Sequence, residues 1–349
     1  MSLPVPRPFT TRSGVTLGLS SVGLGTAPIG NMFRALTETE ADATFRAALN
    51  GGVTYFDTAP LYGFGLAERR LGMALRTQGA GQYLVSTKVG RLLKVDRRSD
   101  YMAPPQWVDV PSRRVVYDYS YDGFMRSFEA SLERMGRDRV DILYCHDIDI
   151  YTHGSAEARD AHAAAFLCGG YRALEELRRT GAVDAIGIGV NEWQICERIA
   201  RETDVDVFLL AGRFTLLEQD ALARFLPLCL DRAMRVVVGG PFNSGILASG
   251  AVPGAHYNYA PAPPAILERV TRIDRICQDH GIALKRAAVQ FPLLHPAVVS
   301  VIPGGQSADQ MSENIAAFDT PVPLDLWTHL QEDGLIEPAM DLKATAYAR

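Results

Sequence analysis

Eight short runs of β character recur along the chain, and each is followed by sequence of helical period. The runs cover 19–24, 54–56, 83–86, 140–145, 185–189, 207–210, 235–238 and 298–302. Between them lie amphipathic stretches, among them 37–50, 67–76, 121–135, 170–179, 193–202 and 221–231. The first of these has readable ends. Thr37 stands three residues before Glu40, a capping-box spacing, and the helix it opens should stop at Asn50-Gly51-Gly52.

This alternation decides what the length means. At about 150 residues per domain, 349 residues suggest two units. No Pro/Ser-rich linker separates two halves, however, and eight strand-helix repeats fit one (β/α)8 barrel. The expected fold class is therefore α/β, a single TIM barrel spanning 1–349 with long loops at its carboxyl face. A Rossmann sheet is the competing architecture. The glycines of GLGTAPIG fall at Gly23, Gly25 and Gly30, which is not the G-x-G-x-x-G spacing of a pyrophosphate-binding turn. That segment reads instead as a strand-end loop.

Composition removes other classes. With 47% hydrophobic residues and a net charge of −5, the chain is neither disordered nor a strongly basic nucleic-acid binder. No run approaches the roughly 20 apolar residues of a bilayer span; even 236–247 is broken by Gly, Pro and Asn. Five cysteines (Cys145, Cys168, Cys196, Cys229 and Cys277) form an odd set without a CxxC pair, and MSLPVPRPFTTRSG is not a signal segment. These features point to a reducing, cytoplasmic setting with buried structural thiols.

Two connections exceed plain turns. The segment 89–120 carries an Arg/Lys cluster with Trp107, Tyr117 and Tyr119, and 147–168 is rich in His, Asp and small residues. Both follow strands, so both belong at the carboxyl end of a barrel, where such folds keep their chemistry. Residues just past successive strand ends converge there. The second strand ends in Tyr55-Phe56-Asp57-Thr58-Ala59-Pro60-Leu61-Tyr62-Gly63, the third in Ser86-Thr87-Lys88 and the fourth in Leu143-Tyr144-Cys145-His146. An acid, a phenol, an amine and an imidazole would thus share one mouth. An ammonium beside a phenol should bring its pKa down towards working pH, making Tyr62 a proton shuttle. Asp57 would hold Lys88 charged, and His146 could hydrogen-bond a substrate oxygen.

These residues resemble the aldo-keto reductase superfamily, whose catalytic tetrad is an Asp, a Tyr five residues on, a Lys and a His. The FDTAPLYG block matches its signature, and the resemblance runs from about residue 19 to 318. It implies catalytic roles for Asp57, Tyr62, Lys88 and His146, and a nicotinamide cofactor stretched across the barrel mouth. Asn191 matches the carboxamide-binding Asn, preceded by Val190 where the family has Ser. Phe214 aligns with a sheet-end aromatic, with Ala211 in place of a family Gln and Gly239 in place of a ring-stacking Tyr. Pro241, Phe242, Asn243 and Gly245 resemble the pyrophosphate loop. Gly25, Thr26, Gly304, Gln306, Gln310 and Asn314 complete the implied cofactor set.

At the adenosine end, the Lys-Ser pair and Arg that clamp a 2′-phosphate in NADP-dependent members read Gly304-Gly305 and Gln310. Losing those cations removes charge-assisted hydrogen bonds of roughly 1.5–3 kcal/mol each, so NAD is preferred over NADP unless Arg286 or another basic residue substitutes.

Longer stretches, including LYGFGLAERRLG, TKVGR, CHDID and GGPFNSGILASG, resemble the NAD-linked sugar dehydrogenases that oxidise L-fucose, D-arabinose or L-galactose to lactones. The alternatives are a pyridoxal 4-dehydrogenase or a general aldehyde/ketone reductase of the same family. A non-catalytic cofactor-sensing subunit and a Schiff-base aldolase using Lys88 are the readings from other classes; the intact tetrad and Asp57 beside the lysine oppose them. Trp107, Tyr119, Asp147 and Asp149 are candidate substrate contacts. Asp147, Asp149, His153 and His162 lack the tight spacing of a metal site, so none is expected. The expected partners are small molecules, without nucleic acid or membrane.

Overall fold

A computed structural model describes residues 3, 6–76, 83–98 and 102–342. Its centre is an eight-stranded parallel sheet in sequential order: Leu24–Gly25, Tyr55–Asp57, Leu84–Val89, Ile142–His146, Ala185–Val190, Val207–Ala211, Arg235–Gly239 and Val298–Ile302. Each pair is parallel and in continuous register, apart from one irregularity at Val236/Val237. The first and last strands meet through single bridges, Val22 to Val301 and Gly25 to Gly304, so the sheet curls into a (β/α)8 TIM barrel. Six strands lie within about two residues of the sequence reading; the third runs three residues past it, to Val89, and the other exception is the first. Read as 19–24, it ladders only at Leu24–Gly25.

Alternation along each strand divides the core in two. Tyr55, Ile142, Tyr144, Leu209, Val237 and Ile302 fill the barrel interior, while Phe56, Val85, Leu143, Ile188 and Phe208 face the helices. The lower end of the barrel is plugged by an antiparallel hairpin that the sequence reading missed, Phe9–Thr10 with Thr16–Leu17. Phe9, Leu17 and Leu19 belong to the interior cluster. One inward position allows no side chain at all: a Cβ on Gly187 would lie 1.6 Å from the Val207 carbonyl oxygen.

The helix after the first strand, Glu38–Asn50, carries the expected capping box. The Glu40 backbone N–H donates to Thr37 Oγ1 at 3.2 Å, and Glu40 Oε2 accepts from the Thr37 N–H at 2.8 Å. The helix 221–231 of the sequence reading is instead a 3-10 turn, Asp220–Leu222, followed by Phe225–Asp231. No helix among the described residues is long and apolar enough to cross a membrane.

Both long connections carry structure of their own. The first contains an antiparallel ribbon, Arg91–Val95 with Arg113–Tyr117. The second is helical, with Ile150–His153, Ala156–Ala165 and a π-turn at Phe166–Gly170. The Ala-rich AEARDAHAAA run behind Ser155 explains this: the Ser155 side chain accepts from the Ala158 N–H, an N-cap that the sequence displays. Cys168, read as buried, is exposed on the π-turn, whereas Cys145, Cys196, Cys229 and Cys277 are buried.

Candidate active site

The side chains that point inward at the upper strand ends fall into two halves. On one side are Asp57, Lys88 and His146, and on the other Gly189, Ala211 and Gly239. Bulk is therefore missing on one side, and above it opens a cavity of about 700 Å³. Tyr62, Lys88, Arg91, Trp107, His146, Asp147 and Asn191 line it.

Its floor is an ion pair. Lys88 Nζ donates to Asp57 Oδ2 at 2.6 Å and to the Thr58 carbonyl at 2.9 Å. Asp57 is steadied from below, because Ser86 Oγ donates to its Oδ1 at 2.6 Å and the Tyr55 hydroxyl lies 2.9 Å from Ser86 Oγ. Burial pushes the Asp57 carboxyl up, and Lys88 and Ser86 act against that rise. Gly189 gives the lysine stem its room: a Cβ there would lie 3.3 Å from Lys88 Cε.

Tyr62 is half-buried, with Lys88 Nζ 4.7 Å from its ring centroid and the His146 ring edge-on at 6.1 Å. The expected fall in its pKa does not occur. Burial, then the negative charge of Asp57 and Asp147, raise the phenol well above its ordinary value. Asp57 sits on Lys88 and cancels the ammonium field that the sequence reading relied on.

His146 is held neutral, its pKa pushed well below the usual range by burial and by the nearby Arg91 and Lys88 cations. Its Nε2 lies 3.2 Å from Asp147 Oδ2, a close approach without a hydrogen bond, and its Nδ1 is buried without a partner among the described residues.

The four residues suggested as substrate contacts separate cleanly. Trp107 and Asp147 reach the cavity. Trp107 stands 6.4 Å from the Tyr62 ring, edge-on to Phe64 at 6.3 Å, and its indole N–H is buried without a partner among the described residues. Tyr119 and Asp149 do not line the cavity; both are buried behind it and hold backbone. The Tyr119 hydroxyl lies 2.9 Å from the His146 carbonyl and 2.7 Å from the Asp147 carbonyl. Asp149 accepts from the backbone N–H groups of Thr152, at 2.9 Å, and Asn191, at 2.6 Å. Sequence reasoning missed Arg91. It donates through Nη2 to Asp147 Oδ2, a pairing across 56 positions that no local signal announces.

The residues matched to a cofactor lie along the rim. Asn191 Nδ2 donates to Asp147 Oδ1 at 3.1 Å. The Thr26 backbone N–H donates to the Asp57 carbonyl at 2.9 Å, and its hydroxyl is buried without a partner beside Gly25 at the end of the first strand. Past the seventh strand, Pro241 and Phe242 lead into a turn at Asn243 (φ 45°), Ser244 (φ 63°) and Gly245 (φ 99°). Asn243 is spent on holding that turn, accepting from Thr215 Oγ1 at 2.6 Å and donating to the Gly212 carbonyl at 3.0 Å. Phe214, matched to a sheet-end aromatic, is buried against Phe291 at 5.5 Å instead.

At the far end, Gln310 Oε1 accepts from the Gln306 N–H at 2.9 Å, and Asn314 Nδ2 donates to the Gly304 carbonyl at 3.2 Å. Two cations lie against this segment, and both are already paired. Arg34 donates to the Gln306 carbonyl and to Glu40, and Lys285 to Glu313 at 2.8 Å. Arg286, the suggested substitute, has a buried Nε without a partner.

Comparison with known proteins gives the family. The profile of the Aldo/keto reductase family matches residues 21–332. Pyridoxal 4-dehydrogenase from Microbacterium luteolum is 42% identical over 334 residues, covering 93% of this chain and 96% of the relative. D-threo-aldose 1-dehydrogenase from Pseudomonas sp is 40% identical over 324 residues, covering 92% and 95%. Among solved structures, the holo form of an aldo-keto reductase from Bacillus halodurans superimposes with a TM-score of 0.73 at 21% identity, covering 99% of this chain and all of that one. This last likeness speaks for the fold.

Proposed function

The chain belongs to the aldo/keto reductase family, and from that premise we propose that it is an NAD-linked dehydrogenase oxidising the anomeric carbon of an aldose to the lactone. The two relatives above are named dehydrogenases, and the enzyme acts on CH–OH groups with a nicotinamide cofactor. The observation that carries the reading is the buried Asp57–Lys88 pair beneath Tyr62 and His146 at the floor of the cavity. One such floor gives one proton-transfer position.

The rim fits a dinucleotide. The Thr26 hydroxyl is a buried polar group without a partner among the described residues, beside the catalytic floor. Gly25, Thr26 and Asn191 would hold the nicotinamide end, Pro241, Phe242 and Gly245, on the turn that Asn243 braces, the pyrophosphate, and Gly304, Gln306, Gln310 and Asn314 the adenosine. With Arg34 and Lys285 each tied to a carboxylate and neutral residues at 304, 305 and 310, the adenosine end suits NAD over NADP.

NAD, when bound, supplies the hydride acceptor and a positive ring that favours the phenolate. Tyr62 takes the hemiacetal hydroxyl proton as the C1 hydrogen leaves with its electron pair. The Asp57–Lys88 pair fixes the floor beneath the Tyr62 ring, with Lys88 Nζ 4.7 Å from its centroid. His146, held neutral, orients the reacting oxygen.

Pyridoxal is the second reading, favoured by the 42% identity to a pyridoxal 4-dehydrogenase; its aldehyde also cyclises to a hemiacetal. Nicotinamide reduction followed by absorbance, with L-fucose, D-arabinose, L-galactose and pyridoxal, tests both. Oxidation of at least one aldose with higher kcat/KM than pyridoxal supports the first reading, and turnover of pyridoxal alone overturns it.

A further inference from the structure

The cavity holds a second ion pair that the tetrad does not use. Arg91 and Asp147 are each 7% exposed, and both line the cavity alongside Tyr62 and His146. Their backbones are fixed. Arg91 follows Gly90, whose φ of 102° and 2.7 Å Cβ approach to the Tyr119 ring exclude other residues. Asp147 sits at φ 47°, with its carbonyl held by Tyr119 and by His153 Nε2 at 2.9 Å.

The polar valences of the pair are not full. Asp147 Oδ2 accepts from Arg91 Nη2 and Oδ1 from Asn191 Nδ2, while His146 Nε2 stands 3.2 Å from Oδ2 without a hydrogen bond. A carboxylate has about four lone-pair sites, so Oδ2 keeps one open. Arg91 Nε is a buried donor without a partner among the described residues. An open acceptor site on Asp147 therefore lies next to His146, with the Arg91 guanidinium bound to the same carboxylate oxygen.

We propose that Arg91 and Asp147 form a receptor for a neutral hydroxyl on the carbon next to the one oxidised, so that the site selects the C1–C2 diol unit of an aldose. This rests on the reading that Tyr62 and His146 meet the reacting oxygen. Asp147 Oδ2 is 3.2 Å from His146 Nε2, about one hydrogen-bond length, the separation of neighbouring oxygens in a vicinal diol. A neutral hydroxyl both donates and accepts, so it can give its proton to Asp147 while receiving one from Arg91. The ring phenolate of pyridoxal only accepts, and it would face the Asp147 carboxylate. A deoxy carbon would leave buried polar groups unpaired, a strong basis for rejection.

The test is a cycle of kcat/KM values at saturating NAD, wild type against Asp147→Asn, each with L-fucose and 2-deoxy-L-fucose. Asparagine tolerates the left-handed backbone, so the variant should retain the loop. The wild type is expected to prefer L-fucose by about 10- to 100-fold, and the variant by less than about threefold. Equal losses on both sugars, an unchanged preference in the variant, or no preference in the wild type would each overturn the proposal. Should Asp147→Asn fail to fold, Arg91→Gln is read the same way. If the wild type oxidises pyridoxal but neither sugar, the aldose reading has failed and this inference with it. Turnover of L-fucose with intact discrimination in the variant sinks the hydroxyl receptor alone.

Discussion

Lys88 Nζ lies 2.6 Å from Asp57 Oδ2, and both side chains are only 2% exposed. Neither charge has water to fall back on, so each depends on the other. Replacing Asp57 with Asn leaves a buried ammonium with neutral partners, at a cost of about 3–5 kcal/mol. Denaturant midpoints should show that loss, and Asp57→Asn combined with Lys88→Met should recover most of the stability while remaining inactive. Recovery of turnover in the double variant would contradict the role given to the pair.

Tyr62→Phe removes the proton acceptor and little else, since the ring keeps its place between Trp107 and His146. We expect kcat to fall at least about a hundredfold while NAD affinity, followed by fluorescence quenching, stays within about twofold. A near-normal rate would refute the assignment.

Cofactor choice should follow the charge at 304–310. kcat/KM with NAD is expected to exceed that with NADP by at least about tenfold, and Gln310→Arg should narrow the gap by restoring a cation for the 2′-phosphate. Comparable efficiencies in the wild type would remove the basis for preferring NAD.

Asp147 gives a pH signature. Burial, opposed by Arg91, lifts its carboxyl to about 6. Arg91, His146, Lys88 and Asp149 face it, and of these only Arg91 and Lys88 favour its ionised form. Because the folded value lies above the ordinary 3.8, the folded state binds this proton first. The stability contribution of this group therefore rises as pH falls from about 6 towards about 4. Activity moves the other way, since a protonated Asp147 releases Arg91. We expect kcat/KM to decline below about pH 6 and that limb to be absent in Asp147→Asn.

Tyr119→Phe separates a loop pin from a substrate contact. It deletes the hydroxyl that holds the His146 and Asp147 carbonyls, costing about 1 kcal/mol or somewhat more. A lower Tm with unchanged ranking of substrates is expected. A shift in that ranking would return Tyr119 to the substrate set.

The barrel was legible because its strands are short apolar runs set between capped helices, and seven of them fall where the pattern puts them. The first is the exception: its closure uses isolated bridges at Val22 and Gly25, which leave no ladder to read. The ribbon 91–95 with 113–117 escaped notice because its strands lie far apart in sequence, although RRVVY carries β-branched residues. Within the site, residue type and strand-end position placed Asp57, Tyr62, Lys88 and His146 around one floor. Direction was not readable. Whether Tyr119 or Asp149 faces the cavity or turns back to a carbonyl or N–H depends on the loop path, and the Arg91–Asp147 pair joins segments that only the folded chain brings together. The Tyr62 pKa went wrong because the reading placed Asp57 on Lys88 but did not count the burial that, with the charges of Asp57 and Asp147, raises the phenol.

Gly189, Ala211 and Gly239 are small on the half of the barrel mouth opposite the charged floor. The reacting groups and the space for what they react with are thus encoded on different strands. Enlarging Ala211 would reshape the accepted substrate without touching strands two to four, so a lineage built on this scaffold can exchange one substrate for another while inheriting its proton chemistry intact. Two relatives of nearly equal identity that carry names for a sugar and for a vitamin aldehyde are what such a division of labour would leave behind.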